Sequence, residues 1–231
     1  LPDRIVVMGR LSSENTSWVH TELPSWQSAI YIVDDPNTTS LHTSTNKGHE
    51  ANPYLKYIVD NYDSLPSTIA FIHAHQKGYP LAWHNDNPDY DNAISLRSLN
   101  IDFVQKNGYA NLRCNWEPGC PAEVQPFRDM PKAEDAVGHV IPKAWQELFG
   151  NSDVPEVLAT PCCAQFAVSR KQVLKRPRSE YKRFHDWLIE TELDDYTSGR
   201  VFEYLWHVIF GQDPVYCPDY AMCYCDVYGL C

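Results

Sequence analysis

No run of apolar residues in this sequence approaches the roughly 18 that a membrane-spanning helix needs, so a soluble chain without a membrane span is expected. Positive charge is also scarce: 19 lysines and arginines stand against 30 aspartates and glutamates, a formal net charge of −11. Binding to nucleic acid or to an anionic membrane surface draws on a basic patch that releases counterions, so neither partner is expected. The only basic cluster, Arg170 to Arg183, has the pattern of a solvated helix face. Internal repeats and low-complexity segments are lacking, as is an apolar leader. The sequence opens on Leu1-Pro2 instead of methionine, which fits a processed chain whose targeting segment is gone.

Cysteine, by contrast, is plentiful: Cys114, Cys120, Cys162, Cys163, Cys217, Cys223, Cys225 and Cys231, half of them in the last fifteen residues. An even number at this density fits disulfides made in an oxidising compartment. Two glycosylation sequons, Asn15-Thr16-Ser17 and Asn37-Thr38-Thr39, agree with a secretory route, and the expected location is outside the cell or in the lumen of the secretory pathway. A structural zinc site in the tail is the rival use of these thiols, although Cys223-x-Cys225 lacks the usual two-to-four-residue spacer.

With 231 residues the chain can bury a sizeable core, and one α/β domain over 1–231 with a cysteine-rich tail at 212–231 is the simplest division. Ile5-Val6-Val7-Met8 and Ala29 to Val33 read as buried strands, and Tyr54, Leu55, Ile58 and Tyr62 recur at helical spacing between Pro53 and Tyr62. The apolar run Ile69 to Ile72 then completes a strand, helix, strand rhythm, which implies a mostly parallel sheet flanked by helices. Further helices are expected over Ser95 to Lys106, Lys143 to Phe149, Glu180 to Glu190 and Gly199 to Phe210, and a strand over Cys163 to Ser169. Cys114 and Cys120 could close a small loop, and prolines 118, 121, 126, 131, 142 and 155 mark a loop-rich middle.

The chemistry concentrates where the third apolar run ends, in His73-Ala74-His75 followed by Trp83-His84-Asn85-Asp86. If the strand continued through both histidines, its period of two would turn them to one face at the carboxyl edge of the sheet, where open α/β sheets bind ligands. Two imidazoles there, with His84 or His207 as a third and Asp86 as an oxygen alternative, suit a divalent metal. On the last expected helix Glu203 and His207 are four residues apart and therefore neighbours, opposite the apolar stripe of Phe202, Leu205, Trp206 and Ile209. Glu203, Glu50 and Asp86 are the candidate catalytic carboxylates. Trp83 and Trp116, in expected loops, are candidates for stacking on a sugar ring, whereas Trp206 suits the core.

Several stretches carry a family resemblance: Asn46-Lys47-Gly48-His49-Glu50, Tyr54-Leu55-x-Tyr57-Ile58-Val59-Asp60-Asn61-Tyr62, Phe71-Ile72-His73-Ala74-His75, Gly108-Tyr109-x-Asn111-Leu112-Arg113-Cys114, Cys163 to Arg170, and Glu203-Tyr204-Leu205-Trp206-His207. Together they resemble a mainly fungal family whose domain has no assigned function. That family is in turn similar to the GT-A glycosyltransferases, which act on nucleotide sugars with manganese or magnesium. The resemblance implies a GT-A-like sheet, metal ligation where His73-Ala74-His75 stands, and His207 as the ligand near the carboxyl end. It also implies nucleotide contacts at Asp34 and Asp35 and a phosphate-side loop at Asn46 and Lys47. A histidine-rich site departs from that pattern, because imidazole favours zinc, copper, iron or nickel while manganese and magnesium prefer oxygen. The expectation is therefore a metal-dependent carbohydrate-active enzyme, by glycosyl transfer or by cleavage of a saccharide, using manganese, zinc or copper and with a nucleotide sugar as a candidate donor. The alternative is a secreted, non-catalytic effector that binds carbohydrate or protein.

Overall fold

A computed structural model describes residues 3–129 and 137–231; Leu1, Pro2 and the stretch 130–136 with Pro131 lie outside the described residues. The chain runs through β1 (Arg4–Arg10), α1 (Ser17–Glu22), β2 (Gln27–Ile32), α2 (Ala51–Asn61), β3 (Thr68–Phe71), α3 (Asn92–Ser98), α4 (Ile101–Asn107) and β4 (Tyr109–Asn111). It continues through α5 (Ile141–Phe149), β5 (Phe166–Ser169), α6 (Arg170–Val173), α7 (Arg178–Glu190), α8 (Asp195–Glu203), α9 (Trp206–Ile209) and α10 (Tyr220–Tyr228). No helix among the described residues is long and apolar enough to cross a membrane.

The five strands form one sheet in the order β2-β1-β3-β5-β4. β1 pairs in parallel with β2 and β3, whereas β5 runs antiparallel to both β3 and β4. The sheet is therefore mixed: β1, β2, β3 and β4 run in one direction, as expected of a mostly parallel sheet, and β5 alone runs against them. The reason is the long excursion from Leu112 to Gln165: it leaves the end of β4 and returns to begin β5 at that same end, pairing Asn111 with Phe166. The amino end of β5 thereby joins the carboxyl ends of the other four strands at one edge.

Side chains alternate between two cores, as a pleated strand requires. Ile5, Val7, Phe71, Phe166 and Val168 pack with Tyr54, Phe184, Phe202 and Trp206 under α2, α7 and α8. Val6, Met8, Ala70, Ala110 and Ala167 face the other way, toward Leu96, Val104 and the Cys114–Cys223 bridge. Ala70, Ala167 and Ala110 are register partners across β3, β5 and β4, and this strip of small side chains lets α4 lie against the sheet.

Two expected helices are each broken in two by local hydrogen bonding. The Ser95 to Lys106 pattern is interrupted at Leu99, and the Asn100 side chain caps α4 by accepting from the Phe103 N–H at 3.2 Å. The Gly199 to Phe210 pattern stops at Tyr204, where the chain turns before α9 starts at Trp206. All eight cysteines are disulfide-bonded, as Cys114–Cys223, Cys120–Cys217, Cys162–Cys163 and Cys225–Cys231. Cys114 and Cys120 do not close their own loop; each is tied to the tail, which leaves no thiol there for structural zinc.

Candidate functional site

The site lies at the shared strand edge. β3 ends at Phe71, so period two does not extend to residue 75 and the two histidines diverge. The His73 N–H donates to Gln165 Oε1 at 2.8 Å, and the buried Gln165 amide also reaches Asn92 Oδ1 at 3.1 Å and the His84 carbonyl at 3.3 Å. Through Gln165 the start of β5 fixes the exit of β3 against the 84–92 loop. His73 and His84 consequently meet, Nδ1 to Nδ1, at 3.2 Å. His75 turns away and pairs with Glu14 Oε1 at 3.0 Å.

Burial holds His73 neutral, well below the usual imidazole range, and His73 Nε2 has no hydrogen-bond partner among the described residues. Burial and the Arg113 guanidinium push His84 down to about 4. Both rings are thus in the unprotonated form that ligates metals.

A second group of residues reaches the same cavity from α8 and from the turn before α2. Asp195, in the first turn of α8, accepts from the Gly48 N–H at 2.6 Å and pairs with His49 Nε2 at 3.2 Å. Gly199, one turn on, packs so closely that a Cβ there would lie 3.1 Å from the Gly48 carbonyl. Gly48 itself has φ +74°, and a Cβ on it would overlap Leu188. These two glycines let α8 and the 48–50 turn touch, which brings Glu50 beside Glu203 in one cavity of about 230 Å³, together with His73, His84, Trp83 and Arg200.

The charge of Glu203 acts on the Glu50 carboxyl. Burial and then the charge of Glu203 push Glu50 up to about 8, so near neutral pH it holds its proton. Burial also raises Glu203, opposed by Arg200 and by the Cys163 backbone. Arg200 is committed locally: it lies 4.0 Å from Glu203, hydrogen-bonds the hydroxyls of Tyr196 and Tyr204, and stacks over both rings. Two carboxyls in one pocket, one of them holding its proton near neutral pH, are the groups that general acid–base catalysis draws on.

A family model described as "Protein of unknown function (DUF3431)" matches residues 6–226. The chain belongs to that family. Searches of the curated proteins and of the solved structures find no match.

Within this DUF3431 chain six of the expected site residues line two adjoining cavities. Glu50, Glu203, His73 and His84 line the first cavity. His75 and Asn46 line an adjoining cleft of about 540 Å³ along the ends of β1, β2 and β3, which shares His49, Glu50, His73 and His84 with the first. Asp34 borders this region but is bound to Ser12, accepting from its N–H at 2.7 Å and its hydroxyl at 2.9 Å; Asp35 accepts from the Asn37 N–H at 3.1 Å. Lys47 points elsewhere and donates to the carbonyls of Ile189 and Thr191 at the end of α7, where a cation suits the helix terminus.

Two residues have structural surroundings instead. Asp86 is buried against Arg113 at 3.6 Å and accepts from the N–H groups of Cys114 and Asn115. His207 is fully buried and engages the Pro214 carbonyl through Nε2 at 2.9 Å, because the helix ends at Glu203 and the turn at Tyr204 removes His207 from the Glu203 face. Among the described residues no three His, Cys, Asp or Glu side chains converge as a metal-binding set. Trp83 lines the cavity, whereas Trp116 donates to the Pro218 carbonyl. Sequence reasoning missed Gln165, Tyr196 and the cavity-lining role of Cys162 and Cys163. The adjacent cysteines carry a signal of their own, since their bond closes no loop of chain.

Proposed function

We propose that this chain is a carbohydrate-active enzyme of the secretory pathway or the cell exterior, acting by general acid–base catalysis at the carboxyl edge of its sheet. Four disulfides support the location. The observation that carries the chemistry is the Glu50 and Glu203 pair, two carboxyls in one cavity with Glu50 raised to about 8. Glu50 delivers its proton to the leaving oxygen of a glycosyl unit, and Glu203 accepts the proton of the attacking hydroxyl or water. Trp83, Tyr196 and Tyr204 supply ring faces for a sugar. The wider cleft alongside, in the position where α/β sheets bind ligands, suits a nucleotide-sugar donor, in line with the GT-A resemblance.

His73 and His84 fit a divalent metal. They are two unprotonated imidazoles whose Nδ1 atoms lie 3.2 Å apart, and these two rings would hold the ion. Zinc or copper suits this pair better than manganese. When bound, the metal would supply positive charge for a phosphate or hydroxyl oxygen of the substrate.

The test is product analysis by mass spectrometry on nucleotide sugars with oligosaccharide acceptors and on oligosaccharides alone. Glu50→Gln and Glu203→Gln should each lower turnover by about 10²–10⁴-fold. Turnover unchanged in both variants would overturn the acid–base assignment. A wild-type protein that binds saccharide and converts none of the panel would favour the non-catalytic effector.

A further inference from the structure

Cys162 and Cys163 are bonded to each other, and both line the cavity that holds Glu50 and Glu203. The Cys114–Cys223 and Cys120–Cys217 bridges tie positions 109 and 97 residues apart, whereas this bond links neighbours and closes no loop that would constrain the unfolded chain. Its place in the wall therefore calls for a role other than crosslinking. The turn that carries it is also fixed by independent contacts. The Cys162 N–H donates to the Pro118 carbonyl at 3.1 Å and the Thr160 N–H to the Gly119 carbonyl at 3.1 Å, while a Cβ at Gly119 would lie only 2.0 Å from the Thr160 oxygen.

Each cysteine is 6% exposed, so the pair presents a small, polarizable patch with no hydrogen-bond donor in its side chains. With Trp83 and Pro118 it makes an apolar part of the wall; carboxyl, imidazole, guanidinium and the phenol groups of Tyr196 and Tyr204 supply the polar part. That division matches a pyranose, which has a C–H face and a hydroxyl-bearing rim. The charge balance narrows the class. Glu50, Glu123 and Glu203 line the cavity, while the one arginine there is committed to Glu203 and two tyrosine hydroxyls and His49 is paired with Asp195. With Arg200 and His49 so engaged and the imidazoles of His73 and His84 neutral, the wall of the metal-free protein offers no uncommitted cation to an anionic sugar.

We propose that the Cys162–Cys163 disulfide is the binding platform for the C–H face of an uncharged pyranose, with uronate sugars excluded by the surrounding carboxyls. This rests on the carbohydrate reading above and names the sugar class of that site. The experiment is calorimetric titration with neutral trisaccharides (cellotriose, mannotriose and chitotriose) and with trigalacturonate. The wild type is compared with Cys162→Ala/Cys163→Gly, where glycine accepts the φ of +96° found at Cys163. At least one neutral probe should bind the wild type, with tenfold or weaker binding in the variant and for trigalacturonate. On the unaltered protein, the Cβ resonances of Cys162 and Cys163 should move when that probe is added, a readout independent of how the variant folds. Equal binding by the variant, unmoved cysteine resonances, or equal binding of trigalacturonate would overturn the platform while leaving a saccharide site in place. A wild type that binds no neutral probe would overturn both this inference and the carbohydrate reading.

Discussion

Glu50 ties the catalytic proposal to a measurement that needs no substrate. Its carboxyl has an ordinary value of 4.5 and is raised to about 8 in the folded chain, first by burial and then by the charge of Glu203. The folded state therefore holds this proton more tightly than the unfolded chain does. Raising the pH through the window from 4.5 to about 8 draws the proton from both states and favours the unfolded one. The rise corresponds to about 5 kcal/mol at full strength. Glu50 has some contact with cavity solvent, whose screening leaves about 2–5 kcal/mol as the expected range. Glu50→Gln removes the titration and keeps the shape of the side chain. Urea unfolding with disulfides intact, followed for both proteins from about pH 5 to about pH 9, isolates the effect of Glu50 and its coupling to Glu203, since groups that do not interact with Glu50 cancel in the comparison. Near pH 5 the two should be similar; near pH 9 the variant should be the more stable by that range. A difference that stays within about 0.5 kcal/mol across the range, the scatter of ordinary surface substitutions, would refute the buried, charge-coupled environment assigned to Glu50.

Other residues give separate tests. Gly199→Ala places a methyl group 3.1 Å from Gly48 backbone and His49, so melting should show a loss of about 1–3 kcal/mol, with displacement of Glu50 lowering turnover as well. Asp86→Ala leaves Arg113 buried without its carboxylate and should cost about 3–5 kcal/mol in urea unfolding. Zinc titration should show His73→Ala/His84→Ala losing the ion, whereas His207→Ala keeps it; retention by the double variant would dismiss the imidazole pair as ligands. Removing the Cys120–Cys217 bridge should cost about 2–5 kcal/mol, checked by denaturation of the double alanine variant.

The parts of this fold that were legible in sequence are those that local periodicity controls. Val6-Val7-Met8 and Ile69-Ala70-Phe71 announce strands because a strand covered on both faces tolerates only apolar side chains in succession, and α2 announces itself by its buried stripe of Tyr54, Leu55 and Ile58. The direction of β5 was not legible, since nothing within Phe166 to Ser169 records which end of the sheet the preceding excursion returns to. The same limit explains the site. Glu203 and His207 are neighbours only if one helix runs through both, and a turn at Tyr204 and Leu205 sends one carboxyl to the cavity and one imidazole into the core. His73 and His84 meet through a Gln165 side chain 92 residues from His73, a contact that no spacing rule encodes. Short-range pattern thus names the chemical groups, while long-range hydrogen bonds and close glycine contacts decide which of them share a cavity. The Gly199, Asp86 and Glu50 substitutions separate those two levels: the first disturbs the juxtaposition, the second the scaffold, and the third the chemistry.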